Sequence, residues 1–351
     1  MTGPHQPRLA SKIAIVKLSS LGDVIHALPV ARALRRALRG VHLTWIVEAR
    51  EYALLRDHPD LDAVVPVDTR LWRKLIWRPA GARQVLGKVS RLTGRIRKAS
   101  FDVTLDLQGL IKSGLLTAYT GAPVRIGFTA DYCKEGWLNA VFTNQRVRPP
   151  ASAVHVVDQY LSLLEPLGIT PGPPEFHVPV PTAAALHMEN FLGEQGIKRR
   201  DRVVALNPGA GRENKRWPPA HFCRLAERLA QEPDVKILVL WGPDEVHMAR
   251  QIREGVSAKV ILAPPTDLHE LAALLRQSAL MVASDTGPLH LAAALGTPSL
   301  GLFGPTRAER NGPYGAQCRG LQSPDGTMVA LDPDVAVDAG LALLAARGPE
   351  R

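Results

Sequence analysis

The chain has 351 residues, of which 46% are hydrophobic and 22% charged, with a formal net charge of +10. That composition excludes a disordered chain, and the length suits two domains of roughly 150 residues each. The excess of base points to an anionic partner: nucleic acid, a membrane surface or a phosphorylated substrate. Cys133, Cys223 and Cys318 lie far apart with no CxxC, which excludes a disulfide framework or a zinc pattern and fits a reducing cytoplasm. Met1 to Lys12 carries no signal-peptide pattern, and no window reaches the roughly 18 apolar residues of a spanning helix, so the expected membrane contact is peripheral.

Strand-like apolar runs alternate with amphipathic stretches. Ile13 to Leu18 reads as a buried strand and Val24 to Leu38 as the helix after it. Leu43 to Val47, Ala63 to Val67 and Val103 to Leu107 read as further strands. The alternation implies βαβ units and a mostly parallel sheet. Pro166 to Pro181 holds six prolines and two glycines, reads as a linker, and cannot form a regular helix. The alternation then restarts. Val203 to Leu206, Lys236 to Trp241, Leu280 to Ala283 and Ser299 to Phe303 read as strands. Pro219 to Ala230 reads as a helix opening on proline, and Pro288 to Leu295 as a helix closed by Gly296. Asp267 and Glu270 have capping-box spacing for a helix ending near Arg276, and a last helix runs from about Asp334 to Ala346. The reading is therefore an α/β protein of two Rossmann-like doubly wound domains facing across a cleft. Residues 1–165 form the first domain, 166–181 the linker and 182–325 the second domain. A C-terminal helix lies in 326–351 and is a candidate to pack back toward the first domain.

Three motifs fall where a strand passes into a helix. In Lys17-Leu18-Ser19-Ser20-Leu21-Gly22-Asp23, Gly22 permits a tight turn. Asp23 reads either as a helix N-cap or as a cleft-facing carboxylate that takes a proton from an attacking hydroxyl. His26 reads as an ordinary helix residue or as a helper to it. In Asn207 to Pro218, Gly209, Ala210 and Gly211 let backbone N–H groups approach an anion, and Lys215 and Arg216 add positive charge. The alternative there is a solvated glycine loop. Neither a Walker loop nor a GxGxxG fingerprint occurs in the chain. In Ser284 to His290, Thr286 and the N–H groups near Gly287 suit a phosphate at a helix N-terminus, and Asp285 suits a sugar hydroxyl. The alternative is a well-capped helix with a structural aspartate and a structural His290.

Ten basic residues lie between Arg70 and Lys98 with no Asp or Glu among them. Val85, Val89, Leu92 and Ile96 follow helical spacing, so the latter part reads as an amphipathic helix with one basic face. Trp72 and Trp77 beside the arginines suit a headgroup interface. The rival reading is a solvated basic face. Nucleic acid fits less well, because aromatics are 5% and no reader motif is present.

Together these residues resemble glycosyltransferase family 9, the lipopolysaccharide heptosyltransferases, and within it the heptosyltransferase I type. The resemblance runs from about Lys12 to Gly315. It is carried by KLSSLGDVIHALP from Lys17, RLWRK from Arg70, DLQGLIKS from Asp106, NKRWP from Asn214, WGPDE from Trp241, SDTGPLHLAAALGTP from Ser284 and FGPT from Phe303, in that order. It implies a GT-B fold, an inverting reaction, no metal and no cofactor. Asp23 matches the catalytic base, with Ser20 beside it grouped with the donor contacts. Lys215 matches the lysine on the donor diphosphate and Glu245 the acidic residue at the donor's nucleoside. Asp285 matches the donor-sugar contact, and Thr286 and Gly287 the diphosphate contacts. Gly209, Ala210, Gly211 and His290 are grouped with them. Arg70, Arg73 and Lys74 fall on a basic acceptor-binding segment, and Lys17 is placed with them. The implied donor is ADP-heptose and the acceptor an anionic lipid A type. The implied location is the cytoplasmic face of the inner membrane, with neither nucleic acid nor an obligate protein partner. The chain departs from the type I pattern at Ala210 and Gly211, where hydroxyl residues are usual. Rival readings are another family 9 transferase, a nucleotide-sugar epimerase and a non-catalytic nucleotide-sugar binder.

Overall fold

A computed structural model describes residues 11–71, 79–133 and 135–346, and side chains outside 72–86. The chain forms two compact units that divide between His177 and Val178, inside the proline-rich segment.

In the first unit β1 (Lys12–Val16), β2 (His42–Glu48), β3 (Ala63–Val67), β4 (Val103–Asp106), β5 (Val124–Phe128) and β6 (Gln145–Val147) make one sheet in the order β3-β2-β1-β4-β5-β6. In the second unit β7 (Arg202–Asn207), β8 (Val235–Val239), β9 (Val260–Leu262), β10 (Leu280–Ser284), β11 (Ser299–Phe303) and β12 (Cys318–Gln322) make another, ordered β12-β11-β10-β7-β8-β9. All the pairings are parallel. The two orders are the same winding, so each unit is a doubly wound, Rossmann-like domain.

The local causes are plain. β1 is KIAIV with its last four residues buried, and β10 is LMVAS with all five buried. Strands covered on both faces need continuous apolar runs rather than alternation. The helix Pro219–Leu229 opens on proline and buries Phe222, Leu225, Ala226 and Leu229, one stripe at three- and four-residue spacing. Those side chains enter the second unit's core, each large one contributing about 1.5–3 kcal/mol. At helix Leu268–Gln277, Asp267 Oδ1 accepts from the N–H of His269 and Glu270 at 2.8 Å, and Glu270 Oε2 accepts from Asp267 N–H at 2.9 Å. The helix Pro333–Ala346, a candidate from sequence for the first domain, packs on helix Pro219–Leu229 and on β10, β11 and β12. Its small and apolar face, with Ala336, Val337, Ala339 and Leu344, is part of the second unit's core. Among the described residues no helix is long and apolar enough to cross a membrane.

In each sheet the order reverses between two neighbouring strands, β1 and β4 in one and β7 and β10 in the other. Connections leave such a pair in opposite directions and open a crevice at the carboxyl ends. All three strand-to-helix motifs leave the carboxyl end of one of these four strands.

Candidate active site

In the first unit the residue after β1 is Lys17. Its side chain is 2% exposed, and its ammonium donates to Leu107 O at 3.1 Å and to Tyr160 Oη at 2.6 Å. It lies 3.8 Å from Asp23 Oδ1. Grouped with the acceptor-binding residues on sequence, Lys17 is buried against its own chain. Ser20 precedes the helix Leu21–Ala37, and its N–H and Oγ both donate to Asp23 Oδ2 at 3.0 Å. Asp23 thus does cap-like work through one oxygen, while Oδ1 stands 3.5 Å from Tyr160 Oη. The N-cap is therefore Ser20 and not Asp23, which lies in the first turn as its capping-box partner. Ser20, grouped with the donor contacts on sequence, lies in the first unit as Asp23's neighbour. His26 is buried and packs edge-on against His155 at 5.4 Å.

β4 supports this loop from the other side of the switch point. Gln108 Oε1 accepts from the N–H of Leu18 at 3.0 Å and of Ser19 at 3.2 Å. Asp106 accepts from Gln108 N–H, Gly109 N–H, Ser113 Oγ and Asn139 Nδ2, all within 3.2 Å. Burial pushes the Asp106 carboxyl up despite these donors.

At and beyond the ends of β2 and β3 lie Glu48, Glu51, Thr69 and Arg70. Glu48 accepts from Thr69 and lies 3.2 Å from Nζ of Lys112, which sits in the first turn of the helix Ile111–Tyr119. Glu51 is buried beside Arg50, and burial pushes its carboxyl up, with Arg50 and Arg70 opposing. Arg70 is exposed. Arg73, Lys74, Trp72 and Trp77 lie outside the described residues. Arg78 also lies outside the described residues, and the helix Pro79–Lys98 carries Arg83 and the basic residues after it.

In the second unit Asp285 follows β10 and is the centre of a polar group. Lys215 Nζ lies 2.6 Å from Asp285 Oδ2, and Thr306 Oγ1 donates to the same oxygen at 2.9 Å. His290 Nε2 lies 3.1 Å from Oδ1. Burial pushes the carboxyl up, but hydrogen bonding and charge from His290 and then Lys215 outweigh it and hold it well below the usual carboxylate range. Thr286 stands at the N-cap of the helix Gly287–Ala294 without a side-chain cap bond, and Asn207 Nδ2 lies 3.4 Å from its Oγ1. Ala210 is buried and Gly211 exposed, so only the second presents open backbone.

Glu245 lies against the glycine loop. Gly242 N–H donates to Glu245 Oε2 at 3.0 Å, and a Cβ on Gly209 would come within 1.9 Å of that oxygen. A side chain at Gly209 would therefore have to push the Glu245 carboxylate aside.

Gln108, Thr306 and Tyr160 are among the residues of these groups not singled out as site residues on sequence. Gln108 and Thr306 sit inside quoted motifs, DLQGLIKS and FGPT, which were the signal available. Tyr160 lies 137 residues from Asp23 and carries no local signature. The thiols of Cys133 and Cys318 are pushed up to about 11, chiefly by burial, which makes them poor nucleophiles at neutral pH.

A model of glycosyltransferase family 9 (heptosyltransferase) matches residues 89–332. The chain is 32% identical over 314 residues to lipopolysaccharide heptosyltransferase 1 of Pseudomonas aeruginosa, covering 87% of this chain and 81% of that one. It superposes on the E. coli heptosyltransferase WaaC with ADP at a TM-score of 0.78, 26% identical, over 95% of this chain and 99% of that one. On the same enzyme with ADP-2-deoxy-2-fluoro heptose the TM-score is 0.76 at 27% identity, over 93% and 98%. Its two Rossmann-like domains are those of the GT-B class, and the chain belongs to glycosyltransferase family 9, the heptosyltransferases.

Proposed function

We propose that the protein transfers heptose from ADP-L-glycero-D-manno-heptose to the Kdo-lipid A inner core of lipopolysaccharide, with inversion and without a metal ion. The observation that carries this reading is the gathering of the family's motif residues at the switch point of each sheet. Asp23 stands at one, and the Lys215–Asp285–His290 group at the other. The P. aeruginosa and E. coli relatives support the heptosyl chemistry, and the bound ADP-heptose analogue of WaaC supports the donor.

In the proposed step the acceptor hydroxyl oxygen bonds to the donor's anomeric carbon as the bond from that carbon to the diphosphate oxygen breaks. The hydroxyl proton goes to Asp23 Oδ1, the oxygen not tied to Ser20. One displacement inverts the configuration. The departing ADP carries developing negative charge, and the Lys215 ammonium, Thr286 and the N–H groups opening helix Gly287–Ala294 stabilise it. Asp285 holds Lys215 in place and accepts a hydroxyl of the donor sugar. Glu245 contacts the nucleoside, with Gly209, Ala210 and Gly211 lining the loop. Arg70, Arg73 and Lys74 hold the anionic acceptor; Lys17 positions Asp23 instead. The reading places the enzyme peripherally on the cytoplasmic face of the inner membrane, held by the basic segment, which adds about 1 kcal/mol per base near an anionic surface.

The test follows ADP release by purified protein given ADP-heptose with and without Kdo-lipid A. Release that needs both substrates, persists in a chelator and yields the opposite anomer is the expected result. Turnover of donor alone would assign an epimerase or hydrolase. Turnover only with another acceptor would assign a different family 9 transferase, the reading that the Ala210 and Gly211 departure favours.

Gly209→Ala probes the donor loop. The new methyl displaces the flexible Glu245 carboxylate rather than the backbone, so Gly242 N–H loses its acceptor. Donor KM should rise about tenfold, the worth of one charged hydrogen bond, with kcat nearly unchanged. An unaltered KM for donor would remove Glu245 from the nucleoside site.

A further inference from the structure

Six of the ten exposed large apolar side chains among the described residues fall within 115–141: Leu115, Tyr119, Tyr132, Trp137, Leu138 and Val141, with Trp137 67% exposed. Singly, exposed apolar residues need no explanation, but a cluster does. The helices Ile111–Tyr119 and Trp137–Ala140 pack on each other. Gly114 closes the seam, where a Cβ would meet Phe142 at 2.4 Å and Asn139 at 3.0 Å. Leu115 and Tyr119 share one face of the first helix, and Trp137, Leu138 and Val141 flank the seam from the second.

The basic helix Pro79–Lys98 packs against the first of these two helices. Lys88, Arg91, Arg95, Arg97 and Lys98 are exposed on it, and no Asp or Glu occurs from Thr69 to Phe101. The acids nearest the seam in sequence are engaged: Glu135 accepts from Ile111 N–H at 2.5 Å and Asp131 pairs with Arg148 at 2.9 Å. Trp137 opens the helix after β5 and Ile111 the helix after β4, so the patch begins at the strand-end side of the sheet, where Asp23 also stands.

We propose that this patch, with Trp137 at its tip, enters the headgroup and upper acyl region of an anionic bilayer while the adjoining basic helix holds lipid phosphates. A tryptophan with aliphatic neighbours beside a one-sign basic helix is the chemistry of an anionic lipid interface. A second copy fits poorly. A two-fold contact would set the basic helix near its own copy, and six side chains fall short of the roughly 800 Å² per partner of a stable interface. The proposal rests on the reading that the acceptor is lipid-borne, and it names the surface that would bring the base to such an acceptor.

The test is co-sedimentation with phosphatidylglycerol–phosphatidylcholine vesicles, with transfer to a deacylated, soluble acceptor measured in parallel. Trp137→Ser with Leu138→Ser removes exposed side chains and should leave the fold intact. The double variant should lose at least about tenfold in vesicle partitioning, from the apolar area no longer buried. Its transfer to the soluble acceptor should match the parent. The parent's binding should weaken with salt yet keep a residue that the double variant lacks. A double variant that binds vesicles like the parent overturns the proposal, as does a parent that binds none. A concentration-dependent dimer lost in the double variant would give the patch to a second copy. Failure of the parent on the soluble acceptor would count against the heptosyl-transfer reading and leave the vesicle result standing.

Discussion

Asp23→Asn is expected to lower kcat for transfer on the order of 10³-fold while leaving ADP affinity and folding stability near the parent's. The amide keeps an oxygen that accepts from Ser20 N–H and Oγ, so the start of helix Leu21–Ala37 survives. What it loses is the capacity to take a proton. Asp23→Ala removes both functions, so it should add a stability loss of about 1 kcal/mol to the same loss of rate. The pair of variants separates the two oxygens of one side chain. Rate constants with saturating donor, together with denaturation midpoints, read the outcome. An Asn variant that turns over within a few fold of the parent would reduce Asp23 to a helix cap and end its role as base.

The division of labour on Asp23 also shows how far the sequence could be read. β1, β10 and the helix Pro219–Leu229 were legible because burial on both faces or on one stripe writes itself directly into apolar spacing. The capping box at Asp267 and Glu270 was legible because all its partners lie within three residues. β6 and β12, QRV and CRGLQ, are edge strands of polar composition and carry no such signature. The site was legible to the same limit. Motifs marked Asp23, Lys215, Asp285 and Glu245, but not what each side chain faces. Lys17 is grouped on sequence with the acceptor-binding residues. Its burial is set by Tyr160 and Leu107, which lie 143 and 90 residues away and are brought in by the fold. Thr306 reaches Asp285 for the same reason, because β11 runs beside β10, whereas His290 lies five residues from Asp285 within one motif.

Lys215→Ala is expected to lower kcat by about 10²–10³-fold with a smaller change in donor KM, because the ammonium matters most when charge has built up on the departing diphosphate. The same variant has a structural signature that separates this from general damage. Asp285 keeps Thr306 and His290, so removing Lys215 breaks one contact of three and should cost about 1–3 kcal/mol, less than a lone buried charge would. The sign with pH follows from the carboxyl being depressed in the fold. A depressed carboxyl contributes stability above its unfolded value and loses it as pH falls through the folded one. In the parent, that contribution persists into strong acid. Without the ammonium the folded carboxyl rises toward its ordinary value, so acid unfolding should begin at higher pH, and the stability gap from the parent should be full at neutral pH and close below the folded value of the parent. Urea midpoints taken across acid pH read this directly. A gap that stays constant from neutral to acid would mean that Lys215 does not act on Asp285, and a normal kcat beside it would take the lysine out of the leaving-group site altogether.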